Sequence, residues 1–185
     1  MTVFWAATRT DLGHLTVARS ERGCCLVRLD DDPATAERHL RDRLDRAHPG
    51  VDAIRDDGAL ADLLAAAGAR IAGDPSPPVV TLDLVGTAFQ RAVWDALLTI
   101  PVGEVRTYGQ VAAAVGAPRA VRAVGSACGA NPVALIVPCH RVVPASGGVG
   151  NYGLGVARKR ALLAREGVNP PGARSDSGRG PGAPR

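Results

Sequence analysis

The chain has 185 residues, 46% of them hydrophobic, with mean hydropathy near zero. That length and balance suit one globular domain or two small ones, and no apolar run approaches the roughly 18 residues of a membrane span. The formal charge of +4 is uneven: residues 1–86 carry a net −4, residues 87–167 a net +6, and the stretch from Val168 a further +2. A basic second half suits a polyanionic partner but says nothing of sequence preference. The four cysteines, Cys24, Cys25, Cys128 and Cys139, form no CxxC and no zinc-type cluster, so no metal is expected. The first residues lack a basic-then-apolar export pattern, and the expectation is a cytoplasmic protein with free thiols.

In chain order, "HLTVARSERGCCLVRL" predicts two short strands about a turn at Glu21–Gly23, with Leu15 and Val17 alternating with polar neighbours. "DPATAERHLRDRLDRA" predicts a helix with Pro33 in its first turn after Asp32. "GALADLLAAAGARIAG" predicts a second, with Leu60, Leu63 and Leu64 at helical spacing. "GDPSPP" reads as a linker and "VVTLDLVG" as a strand presenting Val80, Leu82 and Leu84 on one face.

The second half reads as mostly helical. Thr87 would cap "TAFQRAVWDALLTI", with Phe89, Val93 and Leu97 in one stripe. Thr107 would cap "TYGQVAAAVG", which stops at Gly116. "APRAVRAVGSACGA" would follow as a helix with Pro118 near its start, giving a helix-turn-helix pattern. On that helix Val121, Val124 and Cys128 would face the core. Arg119, Arg122 and Ser126 would share another face, among the small Ala120, Ala123, Gly125 and Ala127. Small side chains allow close approach to a groove, and arginines reach phosphates or bases; a solvated basic face on an alanine-rich helix has the same pattern. "GVARKRALLAREG" predicts a last helix ending near Gly167, and the Pro/Gly/Ser/Arg-rich stretch 168–185 a disordered basic tail.

"IVPCHRVV" places Cys139 beside His140. A thiolate needs a base or positive charge to form at neutral pH. Neighbours on a strand point to opposite faces, so the pair can cooperate only on a turn. "VALIV" reads as an extended buried approach, and Pro138 as the point where the chain turns. A lone Cys-His dipeptide is more often a structural thiol beside a chance histidine. A cysteine hydrolase would need an oxyanion hole and a turnover step, and no such hole is marked. A DNA-binding regulator would need no Cys139.

The stretch from Gly86 to Gly167, including "NPVALIVPCHRVV" and "GNYGLGVARKRALLAREG", resembles the O6-alkylguanine-DNA alkyltransferases. The resemblance implies an α+β fold: a small ribonuclease H-like α/β domain over 1–82, then a mostly helical domain over 83–167 with a DNA-binding helix-turn-helix. It implies single-use transfer of an alkyl group from O6-alkylguanine to Cys139, with O4-alkylthymine as a further candidate substrate. His140 would deprotonate Cys139 through a water, Glu166 would fix His140, and Asn131 would order the turn before the site. Tyr108 would press on the phosphate and contact the guanine, and Arg122 would fill the gap left by the flipped base. Arg119, Ala120, Ala123, Gly125 and Ser126 would complete the DNA face. Val142, Val149, Tyr152, Gly153 and Lys159 would line the pocket, and Arg141 would be a structural or ion-pairing group. No cofactor is implied. The implied partner is double-stranded DNA carrying alkylated bases, bound by a monomer that can act cooperatively, with no membrane and no obligate protein partner. The cysteine-rich zinc domain of adaptive-response relatives has no counterpart in these residues.

Overall fold

A computed structural model describes residues 2–168. The chain opens with a β-meander: β1 (Thr2–Thr10), β2 (Gly13–Ser20) and β3 (Gly23–Asp30). Helix α1 (Pro33–Ala47) leads to β4 (Asp52–Arg55), and α2 (Ala61–Ala72) follows. The four strands form a sheet in the order β3-β2-β1-β4, antiparallel except for the β1–β4 pair. The second half contains α3 (Ala88–Leu98), β5 (Arg106–Thr107), α4 (Tyr108–Ala114), α5 (Val121–Gly129), β6 (Val142–Val143) and α6 (Val156–Arg165). β5 and β6 pair in parallel. Among the described residues no helix is long and apolar enough to cross a membrane.

The predicted caps are formed as read. Asp32 accepts the Thr35 N–H, with Pro33 in the first turn of α1. Thr87 and Thr107 each complete a reciprocal box with the glutamine three residues on, satisfying two otherwise orphaned N–H groups. α4 ends where Gly116 takes φ +72°, a conformation that favours glycine.

Three expectations are corrected. "VVTLDLVG" is not a ladder strand: it meets β3 through a single bridge, Cys24 to Leu82, and Val79 stands in solvent. The helix after Gly116 starts at Val121, so Pro118, Arg119 and Ala120 precede it. Val121 is exposed; Val124 and Ala127 face the core, and Cys128 is only half-buried. Trp94 of α3 anchors the later turns of α5 by donating its indole N–H to the Ala127 carbonyl at 2.9 Å. Trp94 in turn needs Gly86, since a Cβ there would lie 2.6 Å from its ring.

One hydrophobic cluster joins the two halves, running from Leu15, Val17 and Val27 through Trp94 and Leu97 to Val133 and Cys139. A second, smaller cluster lies between the sheet and α1, around Val3, Leu26, Leu40 and Leu44. β1 and β4 were not anticipated. β4 is four exposed residues with no apolar alternation, and it owes its existence to pairing with β1.

Candidate active site

The segment after α5 is not the extended run that "VALIV" suggested. Val133 bridges to Val27 of β3, then the chain folds back so that Ala134 bridges to Val137. Leu135 sits at the apex with φ +74°, an uncommon conformation for a non-glycine residue, held by near-complete burial. Asn131 organises this turn. Its Oδ1 accepts the Val133 N–H at 3.1 Å, and its Nδ2 donates to the Val137 carbonyl at 2.8 Å. The same Nδ2 lies 3.1 Å from Cys139 Sγ. Beyond Pro138 a single 3-10 turn, Cys139–Arg141, carries the cysteine and histidine side by side, as the sequence anticipated.

Glu166, at the end of α6, reaches both residues that follow Cys139. Its Oε1 is 2.9 Å from His140 Nε2, and Arg141 grips the carboxylate with two bonds of 3.0 and 2.9 Å. A third Arg141 bond, 2.6 Å to the Ile100 carbonyl, ties the cluster to the end of α3. A carboxylate can only accept, so His140 carries its proton on Nε2, and its buried Nδ1 has no protein partner. Burial holds His140 below its usual range, against the pull of Glu166. Burial would raise Glu166, but the bonds from His140 and Arg141 bring it down to about 2. The site therefore holds a neutral, oriented imidazole backed by a permanent anion.

Cys139 is buried, and burial pushes its thiol up; Asn131, the Lys159 charge and Tyr152 oppose that push. The Tyr152 hydroxyl is near enough to help hold charge on the sulfur without making a well-formed hydrogen bond. Its ring stands edge-on to His140 at 6.4 Å. Lys159 is fully buried and donates to the carbonyls of Val142 (2.5 Å) and Asn151 (3.3 Å). Burial lowers its ammonium to about 8.

A cavity of about 230 Å³ opens over the thiol. Tyr108 and Gly125 form one side, Cys128 and Gly129 another, and Asn151, Tyr152 and Gly153 the loop side. Of the expected pocket residues, Tyr152 and Gly153 are on the wall. Val142, Val149 and Lys159 are buried and off it, Val142 in β6 and Lys159 braced on that strand's carbonyl. Cys128, read from the sequence as core, is a wall residue. It sits one position past the inward-facing Ala127 and three past Gly125, at the edge of the buried stripe. Asn151 and Gly129 were missed as well. Asn151 lies in the quoted "GNYGLG", but nothing in its type marks it out.

The proposed DNA-facing residues lie along the outer side of α5 and the turn before it. Arg122, Ala123 and Ser126 are exposed on the helix, and Arg119 is exposed ahead of it. Ala120 is the residue from which α5 begins. Gly125 faces Tyr108: a Cβ added there would stand 3.9 Å from the Tyr108 ring. Tyr108 opens α4 at the cavity mouth, so the outer helices and the thiol cavity meet at one place.

Residues 88–168 match the family model described as 6-O-methylguanine DNA methyltransferase, DNA binding domain. The methylated-DNA–protein-cysteine methyltransferase of Mycobacterium tuberculosis is 55% identical over 111 residues, 60% of this chain and 67% of that protein. The bifunctional transcriptional activator/DNA repair enzyme Ada of Escherichia coli is 44% identical over 169 residues, 91% of this chain and 47% of that protein. The chain thus spans about half the length of Ada. The crystal structure of Mycobacterium tuberculosis OGT in complex with DNA matches with TM-score 0.73 and 42% identity, over 88% of this chain and 92% of that one. The O6-methylguanine-DNA methyltransferase of Pyrococcus kodakaraensis matches with TM-score 0.67 and 27% identity, over 90% and 100%. With a mycobacterial relative matched at that identity over two thirds of its length, the chain belongs to the methylated-DNA–protein-cysteine methyltransferase family.

Proposed function

We propose that this protein repairs DNA by moving an alkyl group from O6 of a guanine onto its own Cys139, once per chain. The observation that carries the reading is the placement of Cys139 Sγ: it lies on a 230 Å³ cavity, with Asn131 at 3.1 Å and the His140–Glu166 pair next in the chain and fold.

An alkylated base cannot present its O6 substituent to a buried thiol while stacked, so it must swing out of the duplex. Arg122, exposed on α5, would occupy the vacated space while the small residues of the helix press close. His140 Nδ1 takes the thiol proton through a water. The thiolate attacks the alkyl carbon in line; the new S–C bond forms as the C–O6 bond breaks, and the electron pair stays with the guanine. The leaving guanine anion takes a proton from the Tyr108 hydroxyl at the cavity mouth, and the proton held on His140 passes back through water to restore the Tyr108 phenol. The product is a thioether, which thiol exchange does not reverse.

The finer readings go with this one. The strand order β3-β2-β1-β4, with α1 crossing to the parallel β4, supports a ribonuclease H-like first domain over 1–82. The packed α4 and α5 support a helix-turn-helix use of the second domain, over 83–167. The protein acts as a cytoplasmic monomer on duplex DNA, able to bind side by side along it. The tail expectation falls, from residue 169 on, outside the described residues.

The test is intact-protein mass after incubation with a duplex carrying one O6-methylguanine, followed by peptide mapping. A gain of one methylene on the Cys139 peptide, mole for mole with lesion lost, is expected. Lesion binding without mass gain would mean that Cys139 is not an acceptor and the protein is a damage sensor.

A further inference from the structure

On the far side of the segment that carries Asn131 lies a second cavity, of about 150 Å³. Arg28 of β3 and His39, Arg43 and Arg46 of α1 contribute its polar wall. The opposite wall is the 129–132 segment, with Leu154 from the loop that carries Tyr152. Gly129 lines both this cavity and the one over Cys139.

The basic groups here are not equally paired. Arg28 and His39 share the buried carboxylate of Asp30, at 2.9 and 2.8 Å. Arg43 and Arg46, among the described residues, form no ion pair and no side-chain hydrogen bond. The Nε of Arg43 is buried with no partner at all. Arg43 is half-buried and Arg46 is exposed at the cavity rim. A half-buried guanidinium without a counter-ion is costly, and a bound anion would lower that cost. Burial and the charge of Arg46 both weaken the Arg43 cation. None of the residues lining the cavity is a carboxylate, and Asp30 behind them is already engaged by Arg28 and His39.

We propose that this cavity is an oxyanion site that takes a phosphate group between Arg43 and Arg46. Guanidinium forks match phosphate geometry, and two of them with an unsatisfied Nε offer more donors than one carboxylate could use. The size points the same way: 150 Å³ is well below the roughly 300–1,000 Å³ of pockets for organic ligands, and suits one tetrahedral anion with water. The phosphate can come from the backbone of bound DNA or from a small phosphate in solution. Either way it rests against the segment whose Asn131 holds the acceptor sulfur.

Calorimetric titration with inorganic phosphate, against chloride at equal ionic strength, tests the site. Arg46→Gln is expected to weaken phosphate binding at least tenfold, and Arg43→Lys to weaken it while keeping the charge. Arg41→Gln, exposed on the same helix and outside the cavity, controls for net charge. Binding of an undamaged duplex across a salt series separates the sources. If Arg46→Gln flattens the salt slope by about 1 and Arg41→Gln does not, the backbone supplies the phosphate. If duplex binding is unchanged while phosphate binding is lost, the ligand is a free phosphate. Phosphate indistinguishable from chloride, with both glutamine variants alike on the duplex, overturns the proposal.

Discussion

Glu166 closes on His140 Nε2 at 2.9 Å, and that contact decides which face of the imidazole is available. With Nε2 committed, only Nδ1 can accept a proton, and Nδ1 is the ring atom left without a protein partner. The carboxylate therefore acts through the histidine rather than on the thiol. It selects a tautomer, and in the proposed reaction it would stabilise the imidazolium formed when Cys139 gives up its proton.

Acid should destabilise the protein in two overlapping windows. Glu166 is held at about 2, below its ordinary 4.5, so the stability it confers is complete above 4.5 and is lost as pH falls toward 2. His140 is also depressed, because burial disfavours its charge; its contribution is full above 6.5 and declines as pH drops below that. Urea denaturation from pH 7.5 to 3 should show the midpoint falling steadily. Glu166→Gln should remove the lower window, deepen the upper one because the carboxylate no longer pulls His140 up, and slow alkyl transfer by about 10²-fold or more. A variant whose acid profile overlays the parent would contradict the assigned ion cluster.

Asn131→Ala removes three contacts at once: to Val133 N–H, to the Val137 carbonyl and to Cys139 Sγ. The expected loss of stability is about 2–4 kcal/mol, since buried groups of the turn are left unpaired. The Cys139 thiol should become harder to ionise, because the bond from Asn131 opposes the effect of burial. Rates of thiol alkylation against pH should shift to higher pH in the variant.

Lys159→Met separates reactivity from folding. The ammonium favours the Cys139 thiolate from a fully buried position. Its removal should slow thiol alkylation at pH 7.5, because without that charge the thiol is harder to ionise. Stability should change by less than about 2 kcal/mol, because a buried charge is exchanged for an apolar chain of similar length while two carbonyls lose a donor. In the parent, thiol reactivity should also lose part of this support above about pH 8, where Lys159 deprotonates.

Arg122→Ala should leave fold and thiol chemistry untouched, since the side chain is exposed on α5. Transfer from a duplex lesion should fall about 10²-fold or more, while reaction of Cys139 with a small soluble alkylating agent stays within twofold. Loss of both activities together would place Arg122 in the fold rather than at the DNA.

Local chemistry made much of this legible. Thr87, Thr107, Asp32 and Pro33 mark helix starts because their side chains or rings satisfy only those positions. Pro138 rightly put Cys139 and His140 on a turn. Elements whose cause is a distant partner were not legible: β4 exists by pairing with β1, and β6 by pairing with β5. "VALIV" reads as a strand by composition, yet Asn131 folds it back on itself through bonds to 133 and 137. The rotation of α5, which exposes Val121 and turns Cys128 to the cavity, is set by Trp94 on another helix. The Arg43–Arg46 cavity was hidden for the same reason, because its far wall lies some 85 residues along the chain.

Cys139 is only 6% exposed, and burial keeps it in its protonated state. For a catalyst that turns over, such reluctance would merely be slow. For a protein that, as proposed, reacts only once the case is different, since every stray electrophile it met would use it up. Sheltering the sulfur until a base fills the cavity works as a safety catch: it gives up speed toward small solutes and preserves the chain's single shot for the lesion.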